Sequence, residues 1–528
     1  MAVRRVSERS MGGSREKQPA SDSENASFTP GEKAGRRPVS MADGRESRIL
    51  SGPLAWEVAR FGTPLAVGMA LQTTFNLVDA YLIAQLPPPE VGAAVGAIGI
   101  CDQVAALGTI ISFGVSTAAA AIISNRKGAG DDKGVQQAVW QSILVIGALS
   151  LVLGVVGGLG AGFIVYDLIG AKGDVAAVAT SYLRVALLGS FSIYFLLQLT
   201  NVQRALGSSK TPVALLVGGN ILNLLLAVLL IFGEGPAPSW LRWSTDLART
   251  LHIPRLGMLG AAWSSVIARC VVLVPNIIVL ARRFDVFPPK GARAPRESEI
   301  RSLLAIAWPS CAQFFLRIAA MLFVNSLVAR FFTTKEDQVA TTAMGLVFRL
   351  DTMALFVAMG WGNAAQTFVG QNLGGGNDQR ARRAGWLAGA YDAMTNIALV
   401  AVVFHWGEPI LRIFDDETPP VMIALDYLHV VAPSYFALGL GIVLGNSMAG
   451  AGATRTTFAI DALVIIAFQL PVCLVVVGVF GGSLHALFRC VAATNVVSAI
   501  AYALVYSRGG WTRARSLTVA RTAEESTG

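Results

Sequence analysis

The stretch Phe61–Leu86, FGTPLAVGMALQTTFNLVDAYLIAQL, decides how the whole chain is read. It is long enough to cross a bilayer, since a transmembrane helix needs about 20 mostly apolar residues, and its one charged residue is Asp79. An acidic side chain at that depth costs a few kcal/mol unless it faces a wet cavity, finds partners or binds a proton. Gln72, Asn76 and Asp79 follow at spacings of four and three, so they share one helical face. A polar stripe on an apolar helix marks either a lined pathway or glue between neighbouring helices. Because intramembrane acids are functional by default, Asp79 is read as functional first.

Working outward, composition sets the class. Of 528 residues, 54% are hydrophobic and 14% charged, with a mean hydropathy of +0.57. Soluble domains carry about 25% charged residues. An all-α, multi-pass membrane protein is therefore expected, with its 54 glycines suited to close helix packing in lipid. The five cysteines stand singly inside apolar runs and the four histidines are scattered, so neither a metal motif nor a disulfide framework is expected. The net charge of +9 reads as topology rather than as nucleic-acid binding.

About twelve spans are counted, near 58–86, 92–123, 134–168, 176–203, 211–233, 256–282, 299–331, 338–371, 381–414, 422–449, 456–480 and 483–507. Residues 1–48 lack an apolar signal core and read as a disordered tail. The first lobe is expected at 49–283, a linker at 284–298, the second lobe at 299–507 and a tail at 508–528. Basic residues crowd alternate connections, at Arg126 and Lys127, Lys210, Arg282–Arg301, Arg380–Arg383 and Arg455. Positive-inside bias then puts both termini in the cytoplasm of a cell with the protein in its inner (plasma) membrane. The outer segment 234–255, with Trp240, Leu241, Trp243, Leu247 and Leu251, is expected as a short helix in the interface.

The two halves repeat. GVSTAAAAIISNRKGAGDD (114–132) aligns with GWGNAAQTFVGQNLGGGND (360–378) at an offset of 246, as 360 − 114 = 246. YLRV (182–185) answers YLHV (427–430), and ALGSSKTP (205–212) answers GAGATRTT (450–457), both at 245. Six spans per half make the repeats parallel, which predicts two bundles related by an axis along the membrane normal with a cavity between them. The glycine-rich GAGDD and GGGND lack the Walker Lys-Ser/Thr pattern and read as tight turns, not phosphate loops.

In order and spacing these pieces, with NLVDAYLIAQL, NILNLLLAVLLIFG (220–233), GMLGAAWSS (257–265), AWP (307–309) and FRLD (348–351), resemble the multidrug and toxin extrusion (MATE) family from Pro64 to about residue 507. The resemblance implies two six-helix lobes in a V, alternating access, and export of a small organic substrate driven by inward H⁺ or Na⁺. It implies no enzyme activity, no cofactor beyond the coupling ion, and a monomer in the bilayer. Asp79 falls on the family's acidic position in the first helix, closer to the DinF-like than to the NorM-like branch. Asn223 matches the fifth-helix asparagine, and Ser265 stands where many relatives carry threonine. These residues, with Gln72 and Asn76, form the expected coupling site. Ala227 replaces a DinF-like acid, and Arg317, eight residues after Pro309, replaces the NorM-like seventh-helix glutamate. A lone carboxylate suits a proton better than Na⁺, which wants several oxygen ligands. Arg317 is expected either to pair with Asp351 or to face substrate in a cavity. Arg269 and Arg489 are expected to snorkel to the interface. Two other readings stay open, a flippase for lipid-linked or anionic substrates and, more weakly, a membrane enzyme.

Overall fold

Apolar runs of this length satisfy their backbone groups in lipid as helices, and the computed structural model is helical throughout, with no strand among the described residues, 48–87, 90–334, 336–414 and 417–515. The expected tail at 1–48, Arg48 excepted, and the segment 516–528 lie outside them. Span 1 is Leu54–Ala84, span 2 Glu90–Gly128, span 3 begins at Asp132–Leu159, and span 4 is the pair Gly173–Leu188 and Ser190–Ala205, bent by 41°. Spans 5 and 6 are Lys210–Phe232 and Met258–Arg283. The second half holds span 7 (Glu297–Phe331), span 8 (Val339–Gly374), span 9 (Asp378–Arg412), span 10 (Thr418–Gly450), span 11 (Thr454–Val479) and span 12 (Leu484–Arg508).

Twelve spans were expected from the sequence. Among the described residues ten of these helices are long and apolar enough to cross a membrane, eleven with the bent span 4 counted as one, and Leu54–Ala84, whose polar stripe lowers its hydropathy, is not among them. Span 4 bends at Gly189, which ends one helix and caps the next. Several helices also run past the expected limits, as Glu90–Gly128 does at both ends. Between spans 5 and 6, Arg242–Leu251 forms the short helix expected in 234–255, with Trp240, Trp243, Leu247 and Leu251 exposed and Leu241 buried. The expected linker 284–298 is tied to span 3, where Trp140 and Gln141 donate to the carbonyls of Arg293 and Ala294. After span 12 the chain turns back through Gly510–Arg515, and Trp511 stacks on Tyr506.

The repeat is visible atom by atom. Gly130 and Gly376, 246 residues apart, both take positive φ, at 75° and 79°, which an L side chain adopts only under strain. The next residues, Asp131 and Asn377, cap the following helices through bonds from the N–H groups of Gly134 and Arg380. Such a cap contributes about 1 kcal/mol. The turn chemistry is therefore duplicated along with the apolar pattern.

Between the lobes, spans 1 and 2 pack on spans 8 and 7. Phe113 meets Phe314 edge-on at 4.7 Å, and Phe61 meets Phe368 at 5.6 Å. At the end of the bundle that carries the basic loops, polar side chains reach across. Asn125 of span 2 donates to the Gly450 carbonyl of span 10 at 2.7 Å. Gln371 of span 8 donates to the Ala205 carbonyl of span 4 at 2.8 Å. Asn125 and Gln371 are repeat-related, and so are Ala205 and Gly450, so this is one latch made twice around the pseudo-twofold axis. Arg126 adds an ion pair to Glu299 at 2.8 Å.

The latch needs glycine. A Cβ at Gly374 would run into the Asn125 carbonyl, and one at its repeat mate Gly128 would run into Gln371. Gly374→Ala should therefore part the lobes at the basic end. In a cysteine-free background, a cysteine at the buried Thr367 should then react faster with a thiol reagent supplied from that end. Unchanged labelling would mean that the lobes do not part there.

Candidate functional site

Three of the five expected coupling residues come together inside the first lobe. Asn223 of span 5 donates to the Asp79 carboxylate of span 1 at 2.7 Å. Ser265 of span 6 donates to the Asn223 side-chain oxygen at 3.1 Å. The amide is thus oriented from one side so that its NH₂ faces the acid. Gln72, two turns nearer the start of span 1, is a separate contact and accepts from Asn220 at 2.9 Å. The Asn76 side chain lies outside the described residues. Arg269, one turn after Ser265 on span 6, is near enough for its charge to act on Asp79. Sequence reasoning had the signal, because Arg269 and Ser265 share a helical face four residues apart.

The second lobe carries a polar junction of its own, of different chemistry. Arg317 of span 7 pairs through Nε with Asp461 of span 11 at 2.6 Å. The expected partner, Asp351 of span 8, instead accepts hydrogen bonds from the hydroxyls of Tyr427 and Tyr435 in span 10. That pairing is corrected, and the reason is packing: span 7 lies along span 11, with few contacts to span 8. Tyr502 of span 12 donates to the other Asp461 oxygen at 2.7 Å. Gln313, one turn before Arg317, also donates to Asp461, at 2.8 Å. Spans 7, 11 and 12 are the repeat counterparts of spans 1, 5 and 6. At the repeat offset Arg317 answers Gln72 rather than Asp79, as 317 − 72 = 245, so the first lobe closes with acid, amide and hydroxyl, and the second closes with an ion pair and a phenol at a different level of the counterpart helices.

A cavity of about 250 Å³ opens beside this second junction, with Arg317, Asp351, Asp461, Tyr435, Asn495 and Gln469 among its lining. Arg317 is its one cationic group among the described residues, against two carboxylates. Its other walls are mostly apolar, with Met321, Val324, Phe348, Leu355 and Ile442. This is the usual character of a small-molecule site.

Asp461 and Asp392 were missed in the sequence, although each is an acid inside a spanning segment and so met the rule applied to Asp79. Asp392 of span 9 is fully buried, accepts from Asn396 at 3.1 Å, and packs its carboxylate on Gly439 of span 10. It joins two helices and lines neither junction. No cluster of potential metal ligands occurs among the described residues.

With this geometry in hand, comparisons with known proteins are informative. The family model described as MatE matches twice, over residues 64–229 and 309–475, once in each half. The chain is 24% identical over 430 residues to the "Probable multidrug resistance protein YpnP" of Bacillus subtilis (strain 168), covering 80% of this chain and 88% of that one. It is 23% identical over 457 residues to the "FAD transporter" of Shewanella oneidensis, covering 86% and 94%. Among solved structures, a MOP superfamily transporter from Pyrococcus furiosus superposes with a TM-score of 0.78 at 19% identity, over 91% of this chain and 99% of that one. Both halves, the two-lobe fold and the doubled turns lead to one assignment: the chain belongs to the MatE family, the MATE transporters, and is a multi-pass membrane transporter rather than an enzyme.

Proposed function

We propose that this protein is a proton-coupled exporter of small organic molecules, of the DinF-like kind, and that Asp79 is the coupling group. The observation carrying the proposal is the Asp79–Asn223–Ser265 chain, which ties spans 1, 5 and 6 through a single carboxylate. Protonating that carboxylate changes what it offers from acceptor only to donor and acceptor. Its bond to Asn223 and its attraction to Arg269 both change with it, so the packing of three helices is linked to one proton. A Na⁺ ion is the less suitable occupant, since this junction offers one charged oxygen ligand and hard cations take about six.

Substrate is assigned to the second-lobe cavity. Its excess of carboxylates over cations, with Arg317 held by Asp461, supports neutral, zwitterionic or cationic organic molecules. A flippase for anionic substrates would require surplus positive charge, and the described lining does not supply it. The latch through Asn125 and Gln371 closes the basic end, which positive-inside bias assigns to the cytoplasm. On this reading the conformation described here opens outward, and proton entry and substrate exit share that opening.

Proteoliposomes loaded with a fluorescent organic cation such as ethidium test the coupling. An imposed pH gradient should drive accumulation, at about tenfold per pH unit for one-for-one exchange without a membrane potential. A Na⁺ gradient at fixed pH should drive none. Accumulation that followed Na⁺ and ignored pH would replace the ion and keep the site.

A further inference from the structure

The repeat places ALGSSKTP (205–212) and GAGATRTT (450–457) at equivalent turns, but the two turns end differently. In the second half, Thr454 is buried and its hydroxyl donates to the Ile306 carbonyl at 2.9 Å, so span 7 fills the space before span 11. In the first half the equivalent Ser209 is 6% exposed, forms no side-chain hydrogen bond among the described residues, and lines a cavity of about 90 Å³. That volume holds roughly three waters at about 30 Å³ each, the scale of one tetrahedral oxyanion.

The charge around this cavity is one-sided. Arg48, Arg60, Lys210 and Arg283 line it, against the single carboxylate of Glu57. Glu57 lies 3.9 Å from Arg60, and Arg283 reaches the Thr211 hydroxyl at 3.3 Å. Lys210 opens the 23-residue helix of span 5. Pro212 in its first turn has no N–H, so the groups left there without intrahelical acceptors are those of Lys210 and Thr211, and the helix dipole favours an anion beside them. The turn that exposes them depends on Gly207, whose φ is 92°.

We infer that this cavity is a phosphate-binding site at the basic end of the first lobe, distinct from the two junctions used in transport. The ligand is a phosphate oxyanion, held by the span 5 N-terminus and the Ser209 hydroxyl and surrounded by the guanidinium and ammonium groups. Such a group comes from an anionic phospholipid headgroup or from soluble phosphate. A ligand here would join Arg48 and Arg60, which lead into and lie on span 1, to the loops that open span 5 and end span 6. It would therefore brace the end of the first lobe that the latch holds closed.

Binding is measured on the full-length protein in detergent by native mass spectrometry and titration. The probes are dioctanoyl phosphatidylglycerol, dioctanoyl phosphatidylcholine and sodium phosphate. Wild type should bind phosphatidylglycerol or orthophosphate in preference to phosphatidylcholine, whose phosphate carries its own cation. Binding of the lipid alone assigns the headgroup, and comparable binding of orthophosphate assigns the soluble ion. Lys210→Gln with Arg283→Gln should weaken binding about twenty-five-fold, at about a factor of five per charge. Ser209→Val should weaken it about fivefold, and Arg455→Gln at the equivalent turn should leave it unchanged. The proposal is overturned if neither phosphate probe binds wild type. It is equally overturned if the double variant or Ser209→Val binds as tightly as wild type, or if Arg455→Gln costs as much as the pocket variants.

Discussion

Asp79→Asn should abolish gradient-driven accumulation while leaving the protein folded and able to bind substrate. Asparagine is nearly isosteric with a protonated aspartic acid, and its oxygen can still accept the bond that Asn223 donates at 2.7 Å. The amide cannot exchange a proton, so the variant holds one end of the coupling cycle permanently. A wild-type carrier working against a pH difference of one unit can sustain about tenfold accumulation, because about 1.4 kcal/mol corresponds to a factor of ten. The variant should sustain none, yet still exchange labelled for unlabelled substrate down its gradient. Asp79→Glu should restore part of the pH-driven transport, since it keeps a titratable oxygen and misplaces it by one methylene. An Asp79→Asn protein that still concentrated substrate under a pH gradient would remove Asp79 from the coupling step.

Asp461→Ala should be among the most destabilising single substitutions in the second lobe. It strips the partner from Arg317, whose side chain is 27% exposed beside a carboxylate only 3% exposed. It also leaves the Tyr502 hydroxyl and the Gln313 amide without their shared acceptor. Breaking a buried pair from one side costs about 3–5 kcal/mol, whereas replacing both members by apolar groups of similar volume is often neutral or better. The expected order of melting temperature in detergent is therefore Asp461→Ala lowest, with Arg317→Met/Asp461→Leu restored toward wild type. Asp351→Asn should be mild, because an amide oxygen still accepts from one of the two tyrosines. If Asp461→Ala melted with wild type, the ion pair would have no structural weight. If the double variant were both stable and fully active on every substrate, Arg317 would have no part in binding either.

The corrected pairing of Arg317 separates two kinds of information in the chain. Helical spacing fixed which residues share a face, so Asp79 and Gln72 could be placed on one stripe before any coordinates. It said nothing about which helix stands opposite that stripe. Asp351 and Asp461 were both intramembrane acids available to Arg317, and the choice between them rests on span 7 lying against span 11. Two tyrosines of span 10 took Asp351 instead. The same lack of neighbour information hid the contrast between Ser209 and Thr454, which are chemically alike and differ only in what packs over them.

What the sequence determined by itself was everything that depends on local spacing and on transfer from water. The long apolar runs require helices, because lipid leaves no other way to satisfy the backbone. The duplicated glycine turns mark two parallel halves, and the isolated carboxylate of span 1 marks the first junction. The tertiary structure alone decided the partners across helices: Asn223 for Asp79, Asp461 for Arg317, and the carbonyls of Gly450 and Ala205 for the latch. The physical reason is that a side chain's depth and face follow from its own helix. Its hydrogen-bond partner depends on the rotation and close approach of another helix, which only the assembled packing sets.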